Sequence, residues 1–251
     1  MIINNQQLKL IAQQTLPSSV FHWIKTQWQV LKLDPPLGRI RMGDLRRLKP
    51  ISDCFGYDRG LPVDRYYIEK FLAYYAQDIQ GHVLEIKEPL YTYRFGGDRI
   101  IKSDVLHVEA GNPKATLIAD LTNADHVPSD TFDCIILTQT LQFIYDVPTA
   151  IKTLYRILKP GGILLLTVSG ISQISSEDME RWGQYWSFTT LSIQKLLQAV
   201  FDQEKVTVTA NGNVFSAIAF LHGLASEELK KSNLDYCNPD YQVLISARAV
   251  K

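Results

Sequence analysis

Residues 146–168, "DVPTAIKTLYRILKPGGILLLTV", contain a helix, its stop and a strand in one uninterrupted reading. Asp146 can cap the helix, Pro148 suits its first turn, and Ile151, Leu154, Tyr155 and Leu158 recur at helical spacing. Lys159 is expected in the last turn, with Pro160, Gly161 and Gly162 ending the helix before the apolar run "ILLLTV". That run is too continuous for a strand wetted on one side. It predicts a strand covered on both faces, reached by a helical crossover in a parallel sheet.

The same grammar extends in both directions. Upstream lie "VLEI" (83–86), "RIIKSDV" (99–105), "ATLIADL" (115–121) and "FDCIILTQT" (132–140), short runs rich in Ile, Leu and Val divided by polar pieces. Before them, "VDRYYIEKFLAYYAQDI" (63–79) predicts a helix with Asp64 as cap and Ile68, Phe71, Leu72 and Tyr75 on its buried face. Downstream, "TTLSIQKLLQAVF" (189–201) and "VFSAIAFLHGLASEEL" (214–229) are helical, while "KVTVTA" (205–210) is a strand. "YQVLISARAV" (241–250) is expected to close the sheet as an antiparallel edge strand. The chain therefore predicts an α/β fold with a doubly wound, mostly parallel sheet. Residues 1–63 are expected to form an N-terminal helical extension and lid, and residues 64–251 the α/β domain.

Bulk properties narrow the function. Of 251 residues, 26 are Lys or Arg and 26 are Asp or Glu, a balance that disfavours nucleic acid as a partner. The basic stretch "GRIRMGDLRRLK" (38–49) is expected to be a solvated face. Cys54, Cys134 and Cys237 are far apart, with no paired spacing or histidine cluster, so neither a disulfide framework nor a metal site is expected. No apolar run approaches the roughly 20 residues of a membrane-spanning helix. The first residues lack the pattern of a signal peptide, and a cytoplasmic setting is the expectation.

In an open doubly wound sheet, ligands bind outside the carboxyl ends of the strands, where strand order reverses. Glu85, Asp104 and Asp120 are read there, each just past or within the end of a strand, together with the "LTQTLQFI" segment (137–144). Three such carboxylates suit a ligand rich in hydroxyl and amino donors and carrying positive charge.

From about 64 to 200 the chain resembles the seven-stranded, class I S-adenosylmethionine-dependent methyltransferases, with the Rossmann-like methyltransferase fold. The likeness is best over "SDTFDCIILTQTLQFIYDVPTAIKTLYRILKPGGILLLTV" (129–168), and "MERWGQYWSFTT" (179–190) resembles methyltransferases associated with glycosyltransferases. The resemblance implies S-adenosylmethionine as cofactor, a saccharide or similar small polar molecule as O-methyl acceptor, and glycosyltransferases as partners. It implies that Glu85 orients the methionine end, often by way of the turn, with Asp104 on the ribose diol, Asp120 and Leu121 at the adenine, and Thr138, Gln139 and Leu141 beneath the sulfonium. Taken without the family, Glu85 suits an ion pair with Lys87 or a lysine elsewhere, Asp104 and Asp120 suit turns or caps, and Gln139 and above all Gln142 a polar strand edge.

The chain departs from the family where a glycine-rich turn should follow the first strand. Lys87, Glu88, Pro89, Leu90 and Tyr91 stand there, and proline fixes φ and lacks an N–H. S-adenosylmethionine has no phosphate and needs no nest of amides. Lys87 or Arg94 can meet its carboxylate, with "FGG" (95–97) supplying flexibility. His107, ahead of Glu88 and His126, is the candidate base for a hydroxyl acceptor. Residues 50–67, with Tyr66 and Tyr67, are expected to lie over the sulfonium, and Trp182, Tyr185 and Trp186 to stack on a sugar or pack internally. The alternative is a catalytically inactive relative serving as a binding module. A nicotinamide-dependent oxidoreductase is disfavoured, because no GxGxxG follows the first strand.

Overall fold

The computed structural model describes residues 17–31, 35 and 40–251. The expectations for residues 1–16, for Pro36 and for Gly38 and Arg39 of the basic stretch lie outside these. Two compact units divide between Leu48 and Lys49. The first carries helix α1 (Ser18–Leu31) and a 3₁₀ turn at Gly43–Leu45. The second carries the sheet and takes in residues 49–63, which the sequence reading placed in the extension. These residues are tied down locally: the Ile51 and Ser52 amides both donate to the His222 carbonyl, and Pro62 bridges to Ala225.

Seven strands form one sheet in the order β3-β2-β1-β4-β5-β7-β6. They are β1 (Gly81–Ile86), β2 (Ile100–His107), β3 (Leu117–Ile118), β4 (Phe132–Thr138), β5 (Leu158–Ser169), β6 (Val206–Asn211) and β7 (Leu244–Val250). The first five are parallel, and β7 runs antiparallel to both neighbours. The last strand is thus antiparallel as expected, but it is inserted between β5 and β6, and β6 forms the edge.

Alternation along each strand sends side chains to two cores. From β4, Ile135 and Leu137 meet α3 (Val147–Ile157) and α5 (Thr190–Gln198) through Ile151, Leu154, Ile193 and Leu197. Cys134 and Ile136 meet α2 (Val63–Tyr74) and α6 (Val214–Leu221) through Ile68, Leu72 and Phe220 on the other face. Both faces are covered, which is why the strands read as unbroken apolar runs, each fully buried Leu or Ile being worth roughly 1.5–3 kcal/mol.

Two helix ends differ from the sequence reading. Asp146 caps α3 by accepting from the Thr149 amide at 3.1 Å, as expected, but the helix stops at Ile157 and β5 already begins at Leu158. Lys159 is drawn into the strand by its ion pair with Asp133 at 2.8 Å. Helix α2 begins at Val63 behind Pro62, so Asp64 lies inside its first turn. With β2 on one side of β1 and β4 on the other, strand order reverses between β1 and β4. In doubly wound sheets such a reversal is where ligands bind, outside the carboxyl tips of the strands.

Candidate active site

The turn after β1 is built around Glu85. This side chain is 3% exposed, and its carboxylate accepts from the Tyr91 amide (3.1 Å), the Thr92 amide (2.7 Å) and the Thr92 hydroxyl (2.7 Å). Burial pushes the acid up to about 7, against the pull of the Thr92 and Tyr91 bonds. Glu85 is therefore committed to the helical turn that follows (π-helical over Thr92–Gly96), and its carboxylate takes the amides and hydroxyl of that turn as partners rather than Lys87. Lys87 takes the glycine-like φ of +72°, so the left-handed kink survives without its glycine. Gly96 serves packing: a Cβ there would lie 2.3 Å from Ile100 Cδ1. The expectation that "FGG" supplies flexibility gives way to a close contact and, at Gly97, a left-handed turn into β2.

Asp104 is not at a strand tip. It pairs in register with Leu84 in the middle of β2 and accepts from His82 Nε2 (2.6 Å), Lys102 Nζ (2.8 Å) and Thr116 Oγ1 (2.8 Å). Although partial burial works to raise it, Lys102, His82 and Thr116 hold the carboxyl down at about 2. Its stabilising effect is present above the usual carboxylate range and is lost as pH falls toward 2. Asp104→Asn should accordingly lower the unfolding free energy by about 2 kcal/mol at pH 7, the deficit closing in acid. Urea unfolding at both pH values measures this, and equal stability at pH 7 would make the three bonds idle.

The acid that stands beyond β2 is Glu109, which the sequence reading missed. The strand runs on through His107, so "VLHVE" (105–109) was the signal. Glu109 is 55% exposed at its side chain, with Arg181 Nη2 3.6 Å from Oε2. His107 Nδ1 lies 2.8 Å from the Glu109 carbonyl and its ring meets Trp182 edge-on at 5.9 Å, which holds it at the β2 tip. Across β3, the exposed Asp120 accepts from the Thr122 amide (2.8 Å) and hydroxyl (2.9 Å) through Oδ1, and Leu121 is buried beside it. At β4, Thr138 ends the strand and Gln139 turns the chain at φ +48°, its Oε1 accepting from Gln142 Nε2 at 2.9 Å. Gln142 is buried, as is Leu141.

Other expected site residues are spent elsewhere. Arg94 forms a two-pronged ion pair with Glu69 on α2, in a groove of about 380 Å³ also lined by Tyr66, Lys70 and Asp235. Glu88 accepts from Lys114 Nζ at 2.7 Å, which lowers its pKa and its worth as a base. His126 lies 3.0 Å from the Ile118 carbonyl. The Tyr66 and Tyr67 hydroxyls donate to Asp235 and to the Leu234 carbonyl, and Tyr67 is buried in the core with Tyr66 packed against it.

The segment after β5 runs across the tips of β4 and β2. Tyr185 N donates to the Gln142 carbonyl (2.8 Å) and Trp186 Nε1 to the Ile144 carbonyl (3.0 Å), anchoring it at β4. Helix α4 (Ser176–Arg181) then reaches β2, where the Arg181 guanidinium lies 4.4 Å over the Trp182 ring. Tyr145 and Trp186 stack at 5.9 Å with Tyr185 edge-on, an exposed aromatic face beside the β4 tip.

Residues 54–205 match the protein family described as "Methyltransferase domain". The ubiquinone/menaquinone biosynthesis C-methyltransferase UbiE of Haemophilus ducreyi is 46% identical over 73 residues, 28% of this chain and 26% of that protein. UbiE of Marinomonas is 41% identical over 64 residues, 26% and 25% of the two chains. The match thus spans about a quarter of the length of these relatives. Among solved structures, a SAM-dependent methyltransferase from Archaeoglobus fulgidus superposes with a TM-score of 0.50 at 11% identity, over 74% of this chain and 94% of that one. A SAM-dependent methyltransferase from Thermotoga maritima, described as a possible histamine N-methyltransferase, gives 0.51 at 19% identity, over 78% and 94%. At these identities the likeness is one of fold.

Proposed function

Since the chain belongs to the methyltransferase-domain family and has the class I fold, we propose that it transfers the methyl group of S-adenosylmethionine to a hydroxyl of a saccharide or similar small polar acceptor. One observation carries the cofactor half: an accessible carboxylate, Glu109, stands just past β2 beside the point of strand reversal. Two oxygens on one such group can accept both hydroxyls of a ribose diol. Asp120, exposed just past the neighbouring β3, suits an exocyclic amine, and Thr138 and Gln139 stand at the tip of β4. When bound, the cofactor supplies an electrophilic methyl group; the chain's part is alignment. His107 and Glu88, the candidate bases, sit at the tips of β2 and β1, the second of which pairs with β4. Exposed Tyr145, Tyr185 and Trp186 suit the apolar face of a pyranose on the acceptor side. A glycosyltransferase partner and a cytoplasmic setting belong to this reading and rest on the sequence resemblance and composition; among the described residues no helix is long and apolar enough to cross a membrane.

A non-catalytic relative has one observation in its favour. The loops after β1 and β2 are tied together by Asn112 Nδ2 to the Lys87 carbonyl and Lys114 to Glu88, both at 2.7 Å. Calorimetric titration with S-adenosylhomocysteine separates the two. Saturable binding with Kd below about 0.1 mM is expected for the enzyme. A folded sample with no heat of binding at about 1 mM ligand would favour the non-catalytic reading.

A further inference from the structure

The turn that replaces the glycine-rich loop has almost no backbone donor left to offer. Lys87 N is spent on the Leu106 carbonyl (3.0 Å) and Glu88 N on the Ile86 carbonyl (2.9 Å). Pro89 has no N–H, and the Tyr91 and Thr92 amides are taken by Glu85. Within 87–92 that leaves at most the Leu90 amide. A ligand bearing an amino-acid carboxylate must find its counter-charge on a side chain. Arg94 is committed to Glu69 and Lys114 to Glu88.

Arg65, in the first turn of α2, is differently placed. Its side chain is only 25% exposed, and Nε donates to the Tyr57 hydroxyl at 2.8 Å, which orients the guanidinium. Its ion pair with the neighbouring Asp64 is loose, 3.8 Å from Nε to Oδ2. The guanidinium also hydrogen-bonds the Tyr91 hydroxyl, in the turn after β1. Held between the Tyr57 and Tyr91 hydroxyls, two of its five N–H groups engaged, the planar fork keeps further donors next to the turn after β1, and such a fork grips a carboxylate with two parallel bonds. We propose that Arg65 binds the amino-acid carboxylate of the cofactor, taking over the role that backbone amides of a glycine-rich turn cannot play here. This rests on the reading above that the cofactor lies at these strand tips. Lys87 is the rival, an exposed point charge on a flexible stem.

Calorimetry with two ligands tests the assignment. S-adenosylhomocysteine carries the carboxylate; 5′-methylthioadenosine has the same nucleoside and sulfur without the amino-acid end. Arg65→Met should weaken the first about tenfold and the second less than about twofold, whereas Lys87→Met should change neither by more than about twofold. Because Arg65→Met leaves Asp64 without its cation, the double variant Asp64→Asn/Arg65→Met is measured alongside, with Tm as a check on folding, and should show the same selectivity. Equal losses for both ligands, no loss for S-adenosylhomocysteine, or a loss at Lys87 instead would each overturn the assignment of Arg65. If the wild-type protein binds the two ligands equally well, the assignment falls while the cofactor reading stands. If it binds neither, both fall.

Discussion

Replacing Glu85 with alanine should lower the unfolding free energy by about 3 kcal/mol at pH 6, the largest stability effect expected of any single change at the crevice. Three donors would lose their acceptor in a site sealed from water: the Tyr91 and Thr92 amides and the Thr92 hydroxyl. Each unsatisfied buried group costs about 1–3 kcal/mol, partly offset because the variant no longer buries a charge. That offset depends on pH, and its sign follows from the raised acid. In the folded protein Glu85 titrates at about 7, above its ordinary 4.5, so the folded state holds the proton more tightly in between. Stability from this group therefore falls as pH rises through that window, by about 1 kcal/mol between pH 6 and 8. The alanine variant lacks this slope, and its deficit should shrink by the same amount at pH 8. Urea unfolding of both proteins at the two pH values measures it. A deficit under about 1 kcal/mol at pH 6 would mean that water or a shifted turn satisfies the orphaned amides.

The same residue shows where sequence reading reaches its limit. The parallel sheet was legible because β4 and β5 are buried on both faces and must be apolar throughout, and because Asp146 and Pro148 announce the helix between them. Position along a strand was less legible. "RIIKSDVLHVE" (99–109) contains two acids, and nothing in its periodicity says that the strand continues three residues past Asp104 to His107. Asp104 draws His82 and Thr116 from neighbouring chain segments, partners that only the folded register brings near. That Glu85 acts through the turn after its strand is an expectation of the resemblance, but which groups of a turn without glycine it would hold has no local signal. A turn with Pro89 in it cannot close on its own amides, and the nearest buried carboxylate closes it instead. Lys87 at positive φ was equally hidden, since lysine gives no local signal for that conformation.

Glu109→Ala should weaken binding of S-adenosylhomocysteine by about 2 kcal/mol, close to thirtyfold, with little change in stability. The two halves of that expectation come from one fact, that the Glu109 side chain is more than half exposed. An ion pair as open as Glu109 with Arg181, at 3.6 Å, contributes roughly 0–1 kcal/mol to folding, so its loss should barely move Tm. The same exposure keeps the carboxylate available to a diol, which would be left with two unpaired hydroxyls once it is removed. Asp104→Asn should behave in the opposite way, costing stability while leaving affinity unchanged, because its oxygens face His82, Lys102 and Thr116. The pair of variants thus asks which acid of β2 meets the cofactor. If Glu109→Ala binds S-adenosylhomocysteine as the wild type does while Asp104→Asn loses it, the strand would have to slide by several residues to expose Asp104. Such a slide would break the register in which Leu84 and Asp104 now lie side by side.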